Sequence, residues 1–259
     1  MAADGTSKEF EVSLPMEWVF KKTLGPTLEE VGLDLQKLYS KGRDKIVSSA
    51  VKKIQDIDDG RRANLRVARD IFSNGAFTDE EVCAEYFGGL LASSRSMDGK
   101  DDNAMPFLDT IRALSSSQLR LHYAVYRSLN ILLSQSGEYV NIFNADDISS
   151  HEIWMPSLLI ERDFSVNTLT DGTVLNRHGL LNYFKLDNQP LVEDSNMPYL
   201  QVRPTTYGTL LYCAAHNRLS EWKNFSISDF GEFSDLGTPV AFASNLPALL
   251  ERLQLKQQA

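Results

Sequence analysis

The sequence predicts an α+β fold that is predominantly α, with a helical N-terminal half and a mixed α/β C-terminal half. Three observations carry that prediction. Apolar residues recur at helical spacing up to about residue 133. Two helix-start signatures fall inside that stretch. After Gly137 the pattern breaks into short runs, two of which read as strands. The chain has 259 residues, 42% of them apolar and 24% charged, which is enough apolar material for a sizeable core.

Residues 1–13 form a polar lead-in, and a helical pattern begins near Met16 and pauses at Gly25-Pro26. Pro26 suits the first turn of the next helix, because its missing N–H would be unsatisfied there anyway. From Leu28, the positions Val31, Leu35, Leu38, Ile46, Ala50 and Ile54 share one face of a helix over about 27–55. Asp58-Asp59-Gly60 is a turn signal. A second helix is expected from Arg61 to Phe72, ended by Asn74-Gly75. Thr78-Asp79-Glu80-Glu81 has the spacing of a capping box and opens a third helix with the stripe Val82, Cys83, Tyr86, Phe87, Leu90 and Leu91. Ser93 to Asn103 reads as a polar loop. Ser115-Ser116-Ser117-Gln118 is a second capping box, opening a helix to about Leu133.

In the C-terminal half, Ser149-Ser150-His151-Glu152 is expected to cap a short helix, and a helical pattern spans Thr168 to Leu181. Short strands follow at Tyr183–Leu186 and Leu200–Arg203, separated by the polar stretch Asp187–Pro198. An apolar helix at Thr209–His216, a strand-like piece at Thr238–Ala243 and a last helix capped by Ser244-Asn245 complete the order. The helix capped at Ser115, the helix near 168–181 and the two strands around a polar tip follow the order of a winged helix with an insertion. The predicted domains are therefore a helical one over 1–136 and a mixed α/β, winged-helix-like one over 137–259, the latter able to pack as a unit with the helix 115–133. DNA-reading winged helices place Lys and Arg on the second helix and the wing. Here the helix offers Arg177 and His178, and the wing carries Asp187, Glu193 and Asp194, which favours a structural or dimerisation role.

Several segments resemble a known family. They are Leu14-Pro15 with Leu24-Gly25-Pro26-Thr27-Leu28-Glu29-Glu30-Val31-Gly32; Glu85-Tyr86-Phe87-Gly88-Gly89-Leu90-Leu91-Ala92-Ser93-Ser94-Arg95 with Asp101-Asp102; Leu114-Ser115-Ser116-Ser117-Gln118-Leu119; His178-Gly179-Leu180-Leu181; and Thr206-Tyr207-Gly208. Together they are similar to the Abi-alpha family, bacterial proteins associated with abortive infection. The resemblance covers about two-thirds of the chain and stops near residue 220. It implies a role in limiting phage propagation, and it carries no catalytic residue with it.

The residues themselves display no legible catalytic site. Phosphate-cradling glycine loops and the G-x-S-x-G elbow are absent from the sequence. Its two cysteines, Cys83 and Cys213, have no C-x-x-C partner, and its four histidines, His122, His151, His178 and His216, are widely spaced. No metal ligand set and no cofactor is expected. Cys83 falls in an apolar stripe and reads as a core thiol, and His122 as a hydrogen-bonded residue at a helix interface. Asp98, Asp101 and Asp102 read as a solvated turn, with Arg95 pairing to fix that loop. Two cysteines, no secretory-signal layout and no membrane-length apolar run point to a cytoplasmic chain. One catalytic alternative survives, a cryptic nuclease or other toxic effector, in which Glu221-Trp222-Lys223 with Asp194 would supply a Glu-x-Lys metal-dependent site.

Charge supplies the strongest functional hint. The net charge is −9, which disfavours nucleic acid. Between Lys37 and Arg69, however, ten basic residues face only four acids, Asp44, Asp56, Asp58 and Asp59. The candidate binding residues are Lys41, Lys45, Lys52, Arg61, Arg62, Arg66, Arg69 and Arg95. Guanidinium groups suit bidentate contact with carboxylate or phosphate. The expected function is a non-enzymatic interaction or regulatory protein of anti-phage defence, with a protein partner or self-association into a homo-oligomer.

Overall fold

The structure is a computed structural model that describes residues 29–76, 79–192 and 195–257. It is 57% helical and 13% strand, an α+β fold that is predominantly α. The expected pattern near Met16, the Gly25-Pro26 pause and the part of the family resemblance up to Leu28 lie outside the described residues.

Helix α1 spans Glu29–Lys52 and buries Ile46 and Ala50 from its predicted stripe. The second helix starts later than expected. Arg62–Ala63 form strand β1, which pairs antiparallel with β2, Arg95–Ser96. Helix α2 then runs Leu65–Gly75 because the Asn64 side chain accepts from the N–H groups of Arg66 and Val67. Arg61 and Arg62 therefore sit on an extended segment and not on a helix.

Helix α3 covers Glu81–Ser93, and Glu80 holds its N-cap position without a side-chain cap bond. Thr78 lies outside the described residues, and Glu81 pairs with Lys45. Almost every residue of α3 is buried, so it forms the centre of the molecule. Its Gly88-Gly89 pair makes this possible. A Cβ on Gly88 would lie 2.7 Å from Ser49 of α1, and one on Gly89 only 2.0 Å from the Ala215 carbonyl oxygen. No side chain fits where two helices approach α3 this closely.

The expected loop at 93–103 contains β2 and leads into a helix the sequence reading missed, α4, Met105–Ala113, with Pro106 in its first turn. Helix α5, Ser116–Ser136, shows the predicted capping box: Ser115 accepts from the Gln118 N–H, and the Gln118 side chain accepts from the Ser115 N–H. It is buried along most of its length and packs between the two halves.

The C-terminal half keeps the winged-helix order and completes it. Helix α6, Ala145–Ser150, is capped by Asn144, so Ser149 and Ser150 end a helix where they were expected to start one. Strand β3, Ile153–Pro156, and helix α7, Ser157–Phe164, follow. Helix α8, Thr168–Arg177, ends four residues before the expected limit, since Leu181 already belongs to β4, Leu181–Val192. Strand β5 is Ser195–Pro204, and the sheet is antiparallel in the order β3-β5-β4. The polar stretch that seemed to separate two short strands is thus mostly the paired arms of one long hairpin, the wing. Helix α9, Thr206–Ala215, is capped by Thr205. A 3-10 helix, Leu219–Asn224, comes next. The strand-like piece near 238–243 makes a single bridge, Ala243 to Trp154, on the outer edge of β3. Helix α10, Leu246–Gln257, closes the chain, with Asn245 accepting from the Ala248 N–H.

One continuous apolar cluster runs from Ile46 through α3, α5 and α9 to Phe242, linking both halves. A second, smaller cluster (Met197, Tyr199, Ala241, Ala243 and Leu249) lies where α10 meets the sheet. Among the described residues, no helix is long and apolar enough to cross a membrane.

Candidate functional site

The basic stretch divides at the turn near residues 56–60. On α1, Lys41 Nζ lies 2.6 Å from Asp79 Oδ2. Lys45 reaches Asp79 Oδ1 at 2.7 Å and also pairs with Glu81. Hydrogen bonding to Asp79 and then to Glu81 raises the Lys45 pKa, while Lys41 and Lys45 hold Asp79 below the usual carboxylate range. Lys52 is exposed at the end of α1.

Lys53, outside the expected set, is the most firmly held cation of the region. Its Nζ lies 2.5 Å from Glu85 Oε2, 2.6 Å from the Glu85 carbonyl oxygen and 3.1 Å from Ser49 Oγ. Both charged side chains are nearly buried, and burial lowers the Lys53 pKa to about 8 despite the carboxylate beside it. A sequence signal for this pair exists. Lys53, one residue past the end of α1, continues the spacing of the buried Ile46 and Ala50, and Glu85 interrupts an otherwise apolar helix. What the sequence does not show is that the two meet.

Of the arginines beyond the turn, Arg61, Arg62 and Arg66 are held loosely, and Arg69 is paired only with the residue beside it. Arg61 is 3.8 Å from Asp59, Arg66 is 3.7 Å from Asp102, and Arg62 donates to the Asp98 carbonyl at 3.2 Å. Arg69 pairs at 2.8 Å with its neighbour Asp70, yet its side chain is 72% exposed. Arg66 and Arg69 are three residues apart on α2 and so lie on one face. Exposed apolar side chains border this ribbon: Ile57, Leu65 and Met97, the last two above 70% exposed. Arg95 behaves differently from its neighbours. It is nearly buried and binds Asp59 at 2.7 Å together with the carbonyls of Ile57 and Arg61. It therefore braces the 57–61 turn, and the 98–102 loop is fixed instead by Asp98, which accepts from Ser96 Oγ and the Lys100 N–H.

On the winged helix the cations are also engaged. Lys185 pairs with Asp187 at 2.6 Å, and Arg203 binds Glu152 through Nε and Nη2. The outward residues of α8 are mostly uncharged: Leu169, Thr170, Thr173 and Asn176, followed by Arg177.

The residues weighed for catalysis take structural positions. Cys83 and Cys213 are buried, and burial pushes the Cys213 thiol up. His122 is fully buried, 2.5 Å from Tyr86 Oη through Nδ1 and 3.2 Å from the Gly208 carbonyl through Nε2; burial lowers its pKa to about 3. Glu221 is bound by Arg218 Nε and Nη2 at 3.0 and 2.7 Å, and Lys223 lies over the Trp222 ring. Asp194, the third member of the nuclease alternative, lies outside the described residues. Among the described residues, no group of three or more His, Cys, Asp or Glu side chains is placed to hold a metal ion.

Comparison with known protein families, with curated proteins and with solved structures finds no match to this chain.

Proposed function

We propose that the chain is a non-enzymatic interaction or regulatory protein that docks an acidic or phosphate-bearing partner on the arginine ribbon Arg61, Arg62, Arg66 and Arg69. The observation that carries this reading is the pairing of loosely held guanidinium groups with exposed Ile57, Leu65 and Met97. Arginine and methionine are enriched at the centres of protein interfaces. An exposed ion pair contributes only about 0–1 kcal/mol, so a partner's carboxylate can replace Asp59 or Asp102 at little cost. The apolar neighbours favour an acidic protein surface over a bare phosphate chain. Under this reading the winged-helix part supports contacts with protein, since Lys185 and Arg203 already have carboxylate partners.

The resemblance to the Abi-alpha family supports anti-phage defence as the setting. The test is expression of the chain in a phage-sensitive bacterium, with plating efficiency measured for wild type and for an Arg61/Arg62/Arg66/Arg69→Ala variant. Protection lost in the variant, with the variant still folded, supports the reading. Protection that persists in that variant but disappears in Glu221→Ala or Lys223→Ala would favour the toxic-enzyme alternative.

A further inference from the structure

After Gly137 ends α5 in the left-handed conformation, residues 138–144 run to α6 with alternate side chains turned inward. Val140 and Ile142 are buried, whereas Tyr139 and Phe143 are more than half exposed. The inward side is pinned to the core. The Val140 N–H donates to Ser226 Oγ at 3.0 Å, and the Ile142 carbonyl accepts from Thr206 Oγ1. With the backbone fixed in this way, the two outward rings stay at the surface. Phe143 meets the Trp222 ring edge to face, with centroids 4.3 Å apart. Ile227, next to Ser226, is 51% exposed. Tyr139, Phe143, Trp222 and Ile227 thus form an apolar patch on a rigid base, and a clustered patch of this kind marks an interaction surface where scattered apolar residues do not.

The chain around this patch is acidic. Between Arg127 and Arg162 there is no lysine or arginine, but there are five acids, Glu138, Asp146, Asp147, Glu152 and Glu161. Three of them are engaged: Asp147 accepts from the Asn141 N–H, Glu152 is bound by Arg203, and Glu161 accepts from Thr168 Oγ1. Glu138 and Asp146 flank the Tyr139–Phe143 segment in sequence, are exposed, and have no cation partner among the described residues. Lys223 lies over the Trp222 ring, 5.4 Å from its centroid, so the unopposed negative charge belongs to the 138–146 side of the patch.

The arginine ribbon is the counterpart of this patch, opposite in charge and alike in apolar content. It sets Arg61, Arg62, Arg66 and Arg69 beside exposed Ile57, Leu65 and Met97. Within its own chain the ribbon contacts Asp59, Asp102, Asp70 and the Asp98 carbonyl, and neither Glu138 nor Asp146. We propose that the acidic partner of the ribbon is a second copy of this chain, whose Tyr139, Phe143, Trp222 and Ile227 meet Ile57, Leu65 and Met97 while its Glu138 and Asp146 face the guanidinium groups. This assignment rests on the reading of the ribbon as a docking surface. Apolar and aromatic side chains at the centre supply the contact, and opposite charge beside them selects the partner and its orientation. Two different surfaces are joined, so the contact is heterologous: the ribbon of one copy against the patch of the next.

Sedimentation velocity of the full chain, from micromolar to submillimolar concentration, tests this. Wild type should gain mass as concentration rises. The Arg61/Arg62/Arg66/Arg69→Ala variant and a Glu138→Lys/Tyr139→Ser/Asp146→Lys variant should each associate at least about tenfold more weakly. Every substituted side chain is exposed, so both variants keep the fold. An equimolar mixture of the two should recover a one-to-one complex, because the first retains its patch and the second its ribbon. A wild type that stays monomeric throughout overturns the proposal and needs no variant; so does unchanged association in the patch variant, or a mixture that stays monomeric. A monomeric wild type that immobilised polyglutamate still retains through the four arginines overturns the second copy alone, whereas association and retention both indifferent to those arginines overturn the docking reading beneath it.

Discussion

The lysines of α1 and the arginines beyond the 56–60 turn belong to one basic run in the sequence, but they perform different physical work. Lys41, Lys45 and Lys53 point at α3 and its N-terminal approach, where Asp79, Glu81 and Glu85 await them. They fasten the first helix to the central one. Arg61, Arg62, Arg66 and Arg69 project from a two-residue strand, its preceding turn and one face of a short helix, with partners at long range or adjacent in sequence. The difference teaches that a run of like charge is a docking surface only where the fold has not already spent its contacts. What separates the two ends is the position of the partner: the lysines meet acids on the central helix or at its approach, and the arginines do not.

The largest effect should come from the locked end. Lys53→Met leaves Glu85 buried without a cation and should lower stability by about 3–5 kcal/mol, whereas Lys53→Met with Glu85→Leu should recover most of that loss. Urea denaturation measures both. A single-variant loss below about 1 kcal/mol would erase the distinction between the ends, because an exposed pair costs no more than that.

Acid acts on two further buried groups. His122 and His216 both have pKa values lowered to about 3, chiefly by burial. Unfolded, each takes up its proton near pH 6.5. The stability they contribute is therefore complete above about 6.5 and is lost as pH falls toward 3, with a slope of about 1.4 kcal/mol per pH unit for each proton. Replacing His122 by Phe should remove close to one proton from that slope. An unchanged slope would show that the buried imidazoles do not report on the core as described.

Lys45→Ala should cost about 1 kcal/mol at low ionic strength and less in 1 M salt, since its two partners are half exposed. Arg66→Ala and Arg69→Ala should be the smallest, within about 0.5 kcal/mol of wild type. If either arginine variant proves as damaging as Lys45→Ala, the ribbon is structural and the comparison fails.

Much of this fold was legible in the sequence, and the gaps have physical causes. The long helices α1, α3 and α5 announce themselves through their apolar stripes, and the Ser115 capping box sits where its spacing places it. The start of α2 was misplaced because Arg61 and Arg62 carry no breaker signal, and only pairing with Arg95–Ser96 makes that segment extended. Helix α4 is nine residues long with a proline near its start, so it offers little periodicity. Strand β3 has four residues and owes its conformation to β5. The sequence shows the wing only as two stubs because its outer part leaves the core, where alternation of apolar and polar residues no longer applies.

The functional surface was legible as charge and not as geometry. In the sequence Lys41, Lys45, Lys52, Arg61, Arg62, Arg66, Arg69 and Arg95 share only the sign of their charge. Which of these cations would be engaged depended on acids 20 to 40 residues away, such as Asp79 for Lys41 and Asp59 for Arg95. The Lys53–Glu85 pair spans a similar 32 residues, and no local pattern encodes its closure.

Retention of the purified protein on immobilised polyglutamate, as a function of salt, tests the central claim most directly. Wild type and a Lys41→Ala/Lys45→Ala variant should elute together at elevated salt, while the Arg61/Arg62/Arg66/Arg69→Ala variant should elute near the void. Equal retention of all three proteins, or loss of retention in the lysine variant alone, would contradict the assignment of docking to the arginine ribbon.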